Sequence, residues 1–197
     1  AHVLMNLFRM AGLPPGVINL VTVDGPGLGD VVFSHKDFAG LHFTGSTGVF
    51  RNLWKTISNN LDRYKSYPRI VGETGGKDFI VAHPSADVDA VVANALRGAF
   101  EFQGQKCSAA SRAYIPRSLA AAFQEKLSAE LATVRMGTSA DLGNFFSAVI
   151  DERSFDKIAG YIEAARQDPS CTILAGGTYD KSVGYFVAPT VVVTSNP

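Results

Sequence analysis

The chain has 197 residues, with 18 Lys+Arg against 18 Asp+Glu, so its formal charge is zero when the four histidines are neutral. That balance argues against a nucleic-acid binder or a partner of anionic membrane surfaces, both of which carry a basic excess. With 46% hydrophobic and 18% charged residues the composition suits a packed core and not a disordered chain, and it offers neither a membrane-spanning apolar run nor a signal-peptide pattern.

The elements of the first third alternate as a parallel α/β sheet requires. An apolar helical pattern (Val3, Leu4, Leu7, Phe8, Met10, Ala11) starts directly after Ala1, without a capping residue. Leu13-Pro14-Pro15-Gly16 reads as a turn and Val17 to Val23 as a short strand. Asp24-Gly25-Pro26-Gly27-Leu28-Gly29 reads as a glycine-rich turn leading into a helical stretch that ends near His35. Gly40 to Phe43 is a strand, Thr44 to Gly48 a turn, and about Val49 to Leu61 a helix with Leu53, Trp54 and Ile57 on its apolar face. Strand, glycine turn and helix form the repeating unit of an open sheet, whose ligands bind at the carboxyl ends of the strands.

Pro68 to Gly72 continues the strand pattern until Gly72-Glu73-Thr74-Gly75-Gly76-Lys77 interrupts it before Phe79 to Ala82. Glycines this dense mark a backbone that bends or approaches something closely. A domain boundary falls here, between residues 1–76 and 77–197. Asp87 to Phe102 is a helix capped by Asp87, with Val88, Val91, Val92, Ala95, Leu96 and Ala99 at helical spacing. Arg112 to Ile115 is a strand, and Ser118 to Leu131 and Ser154 to Ala165 are helices. Thr172 to Leu174 and Tyr185 to Val187 are strands separated by Gly176-Gly177. The β-branched run Val191 to Thr194 stops three residues before the end at Pro197, so both ends are expected to be cuts in a longer fold.

Several groups could carry chemistry. The turn Thr44-Gly45-Ser46-Thr47-Gly48, between a strand and a helix, either caps the helix or offers backbone amides to an anion such as a pyrophosphate. Asp24 to Gly29 has the spacing G-x-G-x-G with Pro26 inside it, which favours strand–helix packing over dinucleotide binding. Gly72 to Lys77 fails as a P-loop, because its glycine spacing is one residue short and Asp78 stands where a magnesium-binding Ser or Thr belongs. The two cysteines make no disulfide framework and predict a reducing compartment. Cys171 sits in an apolar strand as a small hydrophobe. Cys107 has polar, flexible neighbours, Gln103, Gly104, Gln105, Lys106 and Ser108. A free thiol with a pKa of about 8.5 needs a cation, a helix dipole or a base to act as a nucleophile. Of the four histidines, His2, His35, His42 and His83, none follows Cys107, which excludes a papain-like order within the chain. Glu73 is either a solvated loop charge or a carboxylate free to reach a water or a proton.

Taken in order, Leu13-Pro14-Pro15-Gly16-Val17-Ile18-Asn19, Phe43-Thr44-Gly45-Ser46-Thr47, Gly72-Glu73-Thr74-Gly75-Gly76-Lys77 and Gly104-Gln105-Lys106-Cys107 resemble the motif series of the aldehyde dehydrogenase superfamily. Thr74 departs from it, standing where leucine is common. Asn60 to Tyr64, Tyr67-Pro68-Arg69, Gly104 to Ala109, Phe145 to Asp151 and Ser182 to Phe186 are similar to the branch that oxidises glutamate semialdehyde, the open form of 1-pyrroline-5-carboxylate. The resemblance implies an α/β fold, with part of a Rossmann-like NAD-binding domain followed by most of a thiol-bearing catalytic domain. It implies Cys107 as the nucleophile and Glu73 as the base that activates water. Gly45, Ser46, Thr47, Gly48 and Val49 would line NAD, and Ser108 would bond the substrate carboxylate. No metal is implied. The implied partner is a small aldehyde bearing a carboxylate, with no nucleic acid and no membrane, in a homo-oligomer of the full-length protein. The implied compartment is the bacterial cytoplasm, which is favoured, or the mitochondrial matrix. The family's oxyanion-hole asparagine and its lysine and glutamate for the two riboses would lie outside this chain, so the chain alone is expected to be inactive. Two other readings stay open: another aldehyde dehydrogenase branch, or a catalytically idle domain on the same fold.

Overall fold

The computed structural model describes residues 1–195; Pro197, the expected end of the second domain, lies outside them. The chain divides into two compact units, one from Ala1 to Thr74 and one from Gly75 onward.

The first unit contains α1 (His2–Met10), α2 (Gly25–Val32), β1 (Gly40–Thr44), α3 (Thr47–Ser58), a 3-10 turn at Leu61–Arg63 and β2 (Arg69–Glu73). β1 and β2 pair in parallel from Gly40 opposite Arg69 to Thr44 opposite Glu73, with α3 as the crossover. Leu53 and Ile57, four residues apart on α3, share one face. Ile57 is fully enclosed, and together with buried Phe33 and Phe38 it packs against Leu41, Leu53, Tyr64 and Ile70. Phe33 meets Phe38 edge to face at 5.3 Å. The Tyr64 hydroxyl donates to the Phe33 carbonyl at 2.6 Å, and burial raises its pKa above the usual phenol value. Trp54 does not join this face. It is exposed and lies 5.5 Å from Phe50, because it is turned about 100° from Leu53 and aligned with the residue four before it. The Phe50 ring in turn lies over Gly72, where a Cβ would stand 2.2 Å from it, so the glycine lets α3 sit close to β2.

Two expectations fail in this unit. Val17 to Val23 forms no strand: these residues are exposed and enter no ladder among the described residues. A strand is a property of a pair, and β-branched composition alone cannot supply the partner. Asp24 to Gly29 is not a turn before a helix but the start of α2. Asp24 is the N-cap, its carboxylate accepting from the Gly27 N–H at 3.4 Å, and Pro26 lies in the first turn, where its missing N–H costs nothing.

The second unit opens with β3 (Asp78–Val81), α4 (Val88–Phe100), a 3-10 turn at Glu101–Gly104, β4 (Ala110–Tyr114) and α5 (Arg117–Thr133). β3 and β4 are parallel, and α4 is their crossover. Asp87 caps α4, accepting from the N–H groups of Asp89 at 2.9 Å and Ala90 at 3.2 Å. Val92 and Ala95 of α4 pack on Phe123 and Leu127 of α5, beside Ile80 of β3, and Asp89 and Lys126 close the edge of the helix pair as an ion pair. After α5 come α6 (Glu152–Gln167), β5 (Cys171–Ala175), β6 (Tyr179–Asp180), β7 (Phe186–Val187) and β8 (Val191–Thr194). Their core is Val149, Phe155, Ile162 and Val187. Here the pairing differs from that of the strands before it. β5 pairs with β8 and β6 with β7, both antiparallel, because the short links between them carry no crossover helix. Among the described residues no helix is long and apolar enough to cross a membrane.

Candidate active site

α4 ends at Phe100, short of the Phe102 expected from its spacing, and the chain then reverses its twist. Phe102, Gln103 and Gly104 have φ of 57°, 59° and 64°, one left-handed turn in which the first two residues carry side chains. L-residues adopt this region at a cost. The Gln105 N–H closes the turn on the Phe102 carbonyl at 3.1 Å. Next, the Ala109 N–H donates to the Lys106 carbonyl at 3.3 Å, closing a β-turn with Cys107 and Ser108 at its two central positions. Ala109 is buried and Ala110 begins β4, so the turn stands on a fixed base while the free Cys107 thiol and Ser108 are exposed at its tip.

Two neighbours constrain this tip. Lys106 directs its ammonium to Glu101, 2.7 Å from Oε2, while Arg97 reaches Oε1 at 3.1 Å. These cations, Lys106 foremost, hold the Glu101 carboxyl below its usual range. The second neighbour is Gly76. Asp78 stands opposite Ala110 in the parallel pair, so the segments entering β3 and β4 run side by side. A Cβ on Gly76 would lie 2.0 Å from the Cys107 carbonyl oxygen, a separation no side chain can occupy. A cleft of about 760 Å³ opens beside the left-handed turn, lined by Phe102, Gln105, Phe145, Ser147 and Ile150 among others.

In the first unit, Gly45 extends the parallel ladder, its N–H donating to the Glu73 carbonyl at 3.0 Å. Ser46 is the N-cap of α3, and its Oγ accepts from the Val49 N–H at 3.3 Å. The capping alternative is thus realised, and it leaves the first turn, Thr47, Gly48 and Val49, exposed. Apart from its chain neighbours and the backbone of its own helix, nothing lies within 4 Å of the position a Cβ on Gly48 would take. Glu73 is not a loop carboxylate: it is the last residue of β2, its backbone fixed opposite Thr44 and its side chain exposed. Gly45 to Val49 and Glu73 therefore share the first unit, whereas Cys107 and Ser108 belong to the second. Sequence reading missed the Gly76 contact, although the paired glycines signalled a close approach. It also missed the Glu101 clamp and the bond from the Ile150 N–H to Gln105 Oε1 at 2.9 Å, for which no spacing gives a sign.

A sequence profile of the aldehyde dehydrogenase family matches residues 1–197. The chain belongs to this family. It is 51% identical over 198 residues to the protein of Bos taurus named delta-1-pyrroline-5-carboxylate dehydrogenase, mitochondrial, an alignment covering 100% of this chain and 35% of the bovine protein. The protein of the same name from Dictyostelium discoideum is 52% identical over 189 residues, covering 95% of this chain and 34% of that one. The crystal structure of the delta-pyrroline-5-carboxylate dehydrogenase from Mycobacterium tuberculosis bound with NAD superposes with a TM-score of 0.93 at 50% identity, over 98% of this chain and 36% of that one. This aldehyde dehydrogenase chain thus has part of the family's α/β fold and spans roughly a third of the length of the relatives it matches.

Proposed function

We propose that a longer protein carrying this chain as its middle third oxidises L-glutamate 5-semialdehyde to L-glutamate with NAD, in proline breakdown. The observation that carries the reading is the Cys107 thiol, free and exposed at the tip of a turn pinned by Ala109 and Gly76. Residues 1–76 would belong to the NAD-binding domain and 77–197 to the catalytic domain. The exposed first turn of α3, with the Ser46 hydroxyl and the open space at Gly48, fits a pyrophosphate on its N–H groups, and Val49 would face the adenine side. When bound, NAD supplies the hydride acceptor.

The chain's own residues supply the rest. The Cys107 thiolate adds to the aldehyde carbon, forming the C–S bond of a thiohemiacetal whose oxyanion takes a hydrogen bond from the Cys107 N–H. Among the described residues that N–H has no protein acceptor. Loss of hydride from the same carbon leaves a thioester. Glu73 takes a proton from water, the water oxygen attacks the thioester, and the C–S bond breaks to release the acid and return the thiolate. Attack and hydrolysis are separated by the oxidation, so thiol and carboxylate need no imidazole between them. Ser108, beside the nucleophile, would donate to the substrate carboxylate. The full-length protein would be a homo-oligomer, in the bacterial cytoplasm or, in a eukaryote, the mitochondrial matrix; the bovine and Dictyostelium relatives are named as mitochondrial.

The test is steady-state and rapid-mix kinetics of the full-length protein. Cys107→Ala is expected to abolish NADH formation, and Glu73→Gln to give a burst of about one NADH per thiol followed by slow turnover. Cys107→Ala retaining wild-type turnover would overturn the mechanism. A higher kcat/KM for propanal or succinate semialdehyde than for glutamate semialdehyde would overturn the substrate.

A further inference from the structure

We propose that Gln105 is a positioning residue for the Cys107 thiol, tying the left-handed turn before it to the backbone of Ile150; the assignment rests on Cys107 being the nucleophile. Left-handed Phe102 and Gln103 relax toward ordinary φ unless their surroundings hold them. The Gln105 side chain holds them from both ends of its amide. Nε2 donates to the Phe102 carbonyl at 3.3 Å, inside the turn, and Oε1 accepts the Ile150 N–H at 2.9 Å, 45 residues further along.

Ile150 is a firm anchor. Val149 before it is buried, and its N–H donates to the Tyr185 carbonyl at 2.9 Å; Asp151 after it caps α6. Gln105 thus joins a strained, exposed loop to a point fixed by the second core. The geometry asks for one group that donates and accepts at glutamine's reach. A carboxylate cannot donate, an ammonium cannot accept, and asparagine is one methylene shorter. Glu101 restrains the loop upstream through Lys106 and Gly76 restrains it at Cys107, but of these three only Gln105 fixes the turn to the α6 side of the unit. Without it the thiol would lose its alignment for attack while the rest of the substrate contacts stayed, so the loss would fall on kcat and not on KM.

The experiment compares Gln105→Leu and Gln105→Glu with wild type in the full-length protein. It reads kcat per titrated thiol and KM for NAD-dependent oxidation of glutamate semialdehyde, together with amide hydrogen exchange of the peptide containing Ile150. Gln105→Leu is expected to speed exchange at Ile150 and to lower kcat per thiol about 10- to 100-fold, with KM within about two-fold. Gln105→Glu keeps the acceptor, so Ile150 stays protected while kcat falls by less. Unchanged Ile150 exchange in Gln105→Leu would overturn the proposal, as would faster exchange with kcat per thiol within about two-fold of wild type, the result of a purely structural role. If Gln105→Leu does not fold, Gln105→Glu carries the test: Ile150 losing protection, or kcat unchanged despite the lost donor, overturns it. A wrong choice of nucleophile shows itself separately, as turnover surviving in Cys107→Ala.

Discussion

At Gly76 a hydrogen atom occupies a place where a methyl group would press on the Cys107 carbonyl at 2.0 Å. The neighbouring atom is backbone, so neither side can swing away, and Gly76→Ala must displace the turn that holds the thiol. A displacement of about 1 Å at a reacting group costs on the order of 100-fold in rate. Gly76→Ala in the full-length protein is therefore expected to lower kcat per titrated thiol by roughly that factor. Gly160, inside α6 with nothing beyond its own helix backbone within 4 Å of its absent Cβ, is the matching control. Gly160→Ala is expected to leave turnover unchanged and to add roughly 0.5–1 kcal/mol of stability in a urea melt. The sequence shows both glycines equally; only the parallel register of β3 and β4 makes one of them indispensable.

The elements differ in how far local chemistry decides them. α6 starts at Asp151, whose carboxylate accepts the Ser154 N–H at 2.7 Å, and bonds to Ser154 hold its pKa below the usual carboxylate range. A carboxyl whose pKa is lower folded than unfolded stabilises the helix above its unfolded pKa, and that contribution disappears as the pH falls through the folded value. Hydrogen exchange in the first turn of α6 is thus expected to speed up as the pH drops below the ordinary carboxylate range, after correction for intrinsic rates. Asp151→Asn, a capping side chain that does not titrate, is expected to remove that dependence; a variant with the same pH profile would exclude Asp151 as its source. α4 was legible for this reason, since a capping Asp and an apolar stripe are local signals; α6 showed its stripe from Ser154, and its Asp151 cap went unread. The first turn of α2 hid behind its glycines, because a proline and a capping aspartate outweighed them. Val17 to Val23 looked like a strand because its composition is right, but composition says nothing about a partner. Around the candidate site, the polar and glycine-rich company of Cys107 was visible. The left-handed turn at Phe102 and Gln103 was not, since neither is a glycine, and its tie to Ile150 spans 45 residues.

For the whole molecule, the exposed apolar side chains matter most. α1 is amphipathic yet buries none of its residues, leaving Val3, Leu4, Leu7 and Met10 exposed, and Val17, Val21 and Val23 are exposed as well. Apolar surface of this extent marks a place for a partner or for further chain, and the relatives are nearly three times as long as the region they share with this one. The 197-residue polypeptide alone is therefore expected to bind a hydrophobic dye such as anilinonaphthalene sulfonate and to self-associate in light scattering, without NAD-dependent turnover. The full-length protein is expected to show weak dye binding. A monomeric, dye-silent 197-residue polypeptide would contradict this.

Both units are continuous in sequence, the first ending at Thr74. Every contact within the first unit is between residues the ribosome adds before Gly75. At about 5–20 residues per second, synthesis of the remainder of this chain takes on the order of ten seconds, long enough for a small parallel strand–helix–strand unit to assemble. The order of translation thus gives the α3 turn and Glu73 a head start, and makes the exposed Cys107 thiol a late arrival in the nascent protein.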